Sequence, residues 1–134
     1  MSKLSKTNEK SLNFLLIGAP NVGKSTLFNL LTTSTAIVSN IDRMTTEHTS
    51  GKIKKLNYAN LIDLPGLHNL SHPLDEELEV SYHLFNAKTD GIANIISAYS
   101  IQRDLYLTLQ CIETGMLNTL VINMIDQVNQ CQIN

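Results

Sequence analysis

Three stretches of the chain are largely apolar and of strand length: LNFLLI at 12–17, GIANIISA at 91–98, and the LVINM run within 117–124. In the first two, an apolar run without alternation marks a strand buried on both faces, as in a mostly parallel sheet; the third is read simply as another strand. Between them the hydrophobic period becomes helical. Leu27, Leu30 and Leu31 form a stripe that predicts a helix over 24–33, ending in the Thr/Ser cluster TTSTA. Leu105, Leu109 and Ile112 predict a second helix over 103–114, with Gly115 as terminator. Leu74, Leu78, Tyr82 and Phe85 recur at helical spacing within 74–86, and Asp75, Glu76 and Glu77 suit the positive end of that segment.

The remaining elements are weaker. GKIKKL at 51–56 predicts an edge strand whose lysines blunt edge pairing, with a turn at Asn57 and YANLIDL at 58–64 as its hairpin partner. Residues 34–50 show no sustained period and predict a long loop of the kind that tends to carry function. Strand, helix, hairpin, helix, strand, helix, strand is an α/β order, which implies a mostly parallel sheet with crossover helices on both faces.

Composition narrows this without changing it. A chain of 134 residues, 43% hydrophobic and 16% charged, is one soluble globular domain. A net charge of −2 without a basic stripe argues against nucleic acid as a partner. No run reaches the roughly 18 apolar residues of a membrane helix. The start, MSKLSKTNEK, is polar and mixed in charge, so residues 1–11 are expected to be a flexible lead-in and not a signal peptide. Cys111 and Cys131 are far apart and fit incidental thiols in a reduced, cytosolic setting. His68 and His72, with Pro73 beside them, are read as solvated loop residues and not as a metal pair.

The candidate chemistry begins at 18–26, GAPNVGKST, between the first strand and the first helix. A glycine, four free positions and Gly-Lys-Ser/Thr in that context form a phosphate-binding loop. Gly18 and Gly23 allow backbone N–H groups to turn inward around phosphate oxygens, at a helix start where the macrodipole favours an anion. Lys24 is a cation at that same positive end, and a β/γ-phosphate would supply the charge it lacks. Ser25 offers a hydroxyl to Mg²⁺, which binds through few protein oxygens.

Two further motifs follow predicted strands, and in such sheets ligands sit at the carboxyl ends of the strands. Asp63 closes one strand and suits Mg²⁺ held through its water shell; Gly66, after Leu64 and Pro65, can bring a backbone N–H close to a γ-phosphate. Asn123 and Asp126 follow another strand. A carboxylate accepts two hydrogen bonds, which matches the adjacent N1–H and exocyclic amine of guanine and not adenine.

With these residues in place, the chain resembles GTP-binding domains of the translation-factor-related class. GAPNVGKSTLFN, the DLPG form of the Asp-x-x-Gly motif, NMID and RDLYLTLQ at 103–110 together resemble the ferrous iron transport protein B family over residues 12 to about 130. The resemblance implies a P-loop NTPase fold of the Ras-like G-domain type, hydrolysing GTP to GDP. It places Asn21, Val22, Gly23, Lys24, Ser25 and Thr26 at the phosphates, Asp63, Pro65 and Gly66 at the second switch, and Asn123, Met124 and Asp126 at guanine. Mg²⁺ would be held by Ser25, Asp63 and a first-switch threonine, Thr45, with Thr46 and Thr49 as nearby rivals. Asn21 matches a potassium ligand of K⁺-activated members.

Some positions depart from the family pattern. Leu67 stands where Ras-type enzymes have a water-orienting glutamine, which implies slow hydrolysis assisted by Mg²⁺ and K⁺. Ser39, Ile41, Asp42 and Arg43 replace the usual glycine-rich, Trp-containing first switch, and Ser97 stands where Asp is common. The final strand, the guanine-backing loop and the last helix are expected to lie beyond residue 134, so residues 12–134 would be a G domain incomplete at its C-terminus. A helical regulatory domain and a membrane-spanning iron pore would complete such a protein, on the cytoplasmic side of the inner membrane. A soluble ribosome-assembly or tRNA-modification GTPase is the alternative, since PNVGKSTLFN also resembles those proteins.

Overall fold

The computed structural model describes residues 10–33, 37–40, 47–70 and 89–131. In chain order these form β1 (Leu12–Gly18), α1 (Lys24–Leu31), β2 (Ile37–Asn40), β3 (Glu47–Ile53), β4 (Leu56–Asp63), β5 (Gly91–Ser97), a 3₁₀ turn (Ala98–Ser100), α2 (Ile101–Glu113), β6 (Leu117–Asn123) and α3 (Ile125–Cys131). Among the described residues the strands make one sheet in the order β2-β3-β4-β1-β5-β6. β1 pairs in parallel with both β4 and β5, and β5 with β6. β2, β3 and β4 pair antiparallel.

β1 lies inside the sheet, and its apolar run feeds both faces. Leu15 and Ile17 pack with Leu64, Leu67, Ile92 and Leu107 on one side. Leu16 packs with Val22, Phe28, Leu61 and Ile95 on the other. Period-2 alternation within a continuous apolar run divides the residues in this way, so the expectation for the first strand holds.

The structure corrects four sequence expectations. Residues 34–50 are not wholly loop, because β2 and the first half of β3 lie there as an antiparallel pair. GKIKKL is not one strand with a turn at Asn57: Gly51–Ile53 end β3, beyond the residues 47–50 that pair with β2, Lys54 and Lys55 make the turn, with Lys55 at φ 66°, and β4 starts at Leu56. Helix α1 ends at Leu31, and the residue it buries is Phe28 at 2% exposure, whereas Leu30 is 64% exposed. Its end is drawn down onto the β3–β4 turn, where Lys54 N–H donates to the Leu31 carbonyl and Lys54 Nζ to that of Leu30. On α2, the large residues Leu105, Leu109 and Ile112 are exposed, and Asp104, Leu107, Thr108 and Cys111 face the sheet. Thr108 is matched there by Asn94 on β5, whose amide donates to its hydroxyl at 2.7 Å. The segment 74–86 lies outside the described residues.

Candidate nucleotide-binding site

The phosphate loop leaves β1 at Gly18 and enters α1 at Lys24. Asn21 has φ 63° and Gly23 φ 93°, so the chain makes two left-handed turns within three residues. Gly23 is the residue before the helix and has no side chain to cap it; no acidic residue occupies the first turn. The helix therefore presents uncapped N–H groups at its positive end, which is an anion-binding arrangement. Gly23 also cannot carry a Cβ, because Asn123 Nδ2 occupies that place.

Lys24 Nζ lies 3.0 Å from Asp63 Oδ1, with the two side chains only 10% and 15% exposed. The loop lysine and the carboxylate that closes β4 are thereby brought together across 39 residues. The chain beyond Asp63 is bound to β1 and the phosphate loop. Leu64 N–H donates to the Leu16 carbonyl at 3.3 Å and Leu67 N–H to the Gly18 carbonyl at 3.1 Å. Gly66 abuts Pro20 so closely that a Cβ would lie 2.8 Å from its backbone. Leu67 points into the core at 1% exposure, so position 67 carries no side chain toward the site.

β6 ends at Asn123, whose side-chain amide donates to the Val22 carbonyl at 3.0 Å. This bond ties the third motif to the phosphate loop over 101 residues. The Val22 side chain is itself in the core at 1% exposure, so only its backbone is available to a ligand. Met124 adopts φ 59°, a strained value for a residue with a Cβ. Asp126 is exposed in the first turn of α3.

An open cleft of about 330 Å³ lies over the phosphate loop, lined by residues that include Pro20, Asn21, Lys24, Ser25, Gly66 and Met124, with Asp63, Asn123 and Asp126 outside its lining. Gly23 and Thr26 line it too. Asp63 reaches it through Lys24, and Pro65 is half-buried between Leu64 and Gly66. Thr45 and Thr46 lie outside the described residues, whereas the rival Thr49 stands opposite Asp63 in the β3/β4 register. Among the described residues no group of three or more His, Cys, Asp or Glu could hold a metal. The oxygen donors available are the Ser25 hydroxyl and the Asp63 carboxylate, a set suited to Mg²⁺ shared with phosphates and water. Sequence reasoning missed the second role of Asn123 and the buried carboxylate of Asp104, whose only sequence signal was an acidic residue in a helix's first turn.

A phosphate loop at the end of an interior strand, with Asp63 closing the adjacent strand β4 and Asn123 closing β6 of the same sheet, defines a P-loop protein with the G-domain fold. A profile of the ferrous iron transport protein B family matches residues 12–134, and the chain belongs to that family. It is 40% identical over 114 residues to the Fe(2+) transporter FeoB of Staphylococcus aureus, covering 85% of this chain and 17% of that protein. The crystal structure of an S. thermophilus NFeoB mutant bound to GDP superposes with a TM-score of 0.83 at 39% identity, covering 88% of this chain and 46% of that one. The crystal structure of the G domain of T. maritima FeoB gives 0.82 at 30% identity, covering 90% and 76%. The chain thus spans about a sixth of the length of the curated relatives it matches. No helix among the described residues is long and apolar enough to cross a membrane.

Proposed function

We propose that this chain is the guanine nucleotide-binding domain of a ferrous iron transporter, binding GTP and GDP and hydrolysing GTP slowly to GDP and phosphate. The observation that supports this reading is the tying of three separate motifs together at the phosphate loop: Lys24 bonded to Asp63, and Asn123 bonded to the backbone of Val22. Backbone N–H groups at the start of α1 receive the phosphate oxygens, and Lys24 neutralises their charge. Ser25 and Asp63, with Thr45 from the first switch, would hold Mg²⁺, which would supply positive charge against the phosphates. Asp126 accepts the two N–H donors of guanine, and Met124 packs its thioether stem against the base. Asn21, exposed at the mouth of the cleft, is the K⁺ ligand.

Slow turnover is supported by Leu67. Its side chain is in the core and its N–H is already engaged by Gly18, so water is oriented without help from that position. In the complete protein the domain works on the cytoplasmic side of the membrane, joined to a helical regulatory domain and an iron-conducting pore.

Titration calorimetry with GDP and ADP in parallel tests the base assignment. GDP is expected to bind at least about tenfold more tightly, and equal affinities would refute the reading. Single-turnover GTP hydrolysis with Mg²⁺ should be faster in K⁺ than in Na⁺. Absence of any turnover would leave a nucleotide-binding domain without the enzymatic part of the proposal.

A further inference from the structure

We infer that Asp104 is a positioning residue for guanine recognition, acting through Ser97 and Met124; the inference rests on the guanine reading above. Asp104 lies outside the cleft, in the first turn of α2, and is 3% exposed. Its Oδ2 accepts the Ser97 N–H at 3.0 Å and the Ser100 hydroxyl at 3.2 Å. Its Oδ1 accepts Arg103 Nε at 2.9 Å, and Arg103 Nη2 in turn reaches Ser100 Oγ at 3.0 Å. A carboxylate at a helix start is ordinarily explained by the helix dipole and by capping. That accounts for a bond to Ser100. It does not account for the bond to Ser97, which crosses from the helix back to the last residue of β5.

Ser97 is where this bond meets the site. It pairs with Asn123 in the β5/β6 register, and its hydroxyl accepts the Tyr99 N–H at 3.2 Å and reaches Met124 Sδ at 3.7 Å. Met124 stands between Asn123 and Asp126 in the strained left-handed region, and such a conformation persists only where its surroundings over-determine it. β6 gives little of that support, because none of its residues is buried. The 3₁₀ turn at 98–100, against which α3 packs, gives more, and Asp104 holds both ends of that turn through Ser97 and Ser100. Removing the carboxylate leaves the buried Ser97 N–H without its acceptor and frees the turn. The residues that lose their backing are Met124 and then Asp126, not the phosphate loop.

The test compares the affinities of the 134-residue chain for GDP, IDP and ADP in Mg²⁺. IDP lacks the exocyclic amine, so the GDP-to-IDP ratio reports how well a carboxylate meets the guanine edge, whereas a general loss of fold lowers both affinities together. Asp104→Ala is expected to compress that ratio about fivefold or more, and Asp104→Asn, which can still accept the Ser97 N–H, to hold it within about twofold. Ser97→Ala removes the contact to Met124 and keeps the backbone bond, so it gives an intermediate compression and decides the matter should Asp104→Ala fail to fold. An unchanged ratio in the folded Asp104→Ala protein overturns the inference, as does one in Ser97→Ala where only that variant folds. Wild-type protein that binds ADP as tightly as GDP overturns the guanine reading itself, and the inference with it. Wild-type discrimination with unaltered variants removes only the role of Asp104.

Discussion

The two sides of the cleft are held in different ways. The phosphate side rises from β1 and β4, which lie inside the sheet, and each link in it is backed by core: Leu16, Leu64 and Leu67 are all 2% exposed or less. The base side rises from β6, where Leu120 and Ile122 are 42% and 47% exposed and no residue is buried. Its position depends on polar links, from Asn123 to Val22 and from Ser97 to Met124. A close-packed core resists displacement collectively, whereas a hydrogen bond contributes only about 0.5–1.5 kcal/mol net and can be lost singly. On the proposed reading, phosphate binding is built into the fold, and base recognition is attached to it by a few replaceable contacts.

The largest effect should come from breaking the packed side. Leu67→Ala is expected to lower unfolding free energy by about 2–5 kcal/mol, read from the urea midpoint. Leu67→Gln sharpens the point. An amide there enters the core beside Leu15 and Ile17, so it should destabilise the protein and leave GTP hydrolysis no faster. A rise in hydrolysis would show that position 67 can turn toward the site.

Next in size is Lys24→Ala, which should reduce GDP affinity by about 100-fold or more, measured by calorimetry, while the protein stays folded. Two losses combine in this variant. The phosphates lose their cation, and the Asp63 carboxylate, only 15% exposed, is left uncompensated where the anion must bind. An unchanged affinity would remove Lys24 from the site.

The contrast between the sides also explains what could be read from the sequence. The phosphate loop and the interior strands β1 and β5 were legible, because close approach to phosphate demands particular residue types and double-sided burial demands continuous apolar runs. The stripe Leu105, Leu109 and Ile112 misled because residue size does not say which face has a partner. The face that meets the sheet carries Asp104 and Thr108, whose polar atoms find partners on β5, the Ser97 N–H and the Asn94 amide. Likewise Leu30 and Leu31 looked like core and Phe28 is core, since Gly51 on β3 leaves the space into which Phe28 packs. β2 and the first half of β3 were missed because their pairing with each other and with β4, not their periodicity, makes them strands. Asn123 was legible as the polar end of a strand, but its bond to Val22 depends on a crossover that no local pattern encodes.

A smaller effect on the packed side is pH-dependent. Burial raises the Cys111 thiol from 9.0 to about 11. The folded state therefore keeps a proton that the unfolded chain releases, so this contribution is intact below pH 9 and is lost as pH rises toward 11. Stability should fall by about 1 kcal/mol from this group by pH 10, and Cys111→Ala should lack that component of the urea-midpoint profile. Identical alkaline profiles for the two proteins would mean that water reaches the thiol beneath α2.

The smallest effect belongs to β6, and it tests the contrast most directly. Leu120 pairs with Asn94 across β5 and β6, yet 42% of it remains in solvent. Truncation therefore returns little apolar area to water, and Leu120→Ala should cost under about 1 kcal/mol in a urea titration. GDP affinity should stay within about twofold, because Asn123 remains tied to the Val22 carbonyl and Met124 to Ser97, neither of which depends on the Leu120 side chain. A cost matching that of Leu67→Ala would mean that the base side has a core of its own, and the distinction between a packed side and a tethered side would not hold.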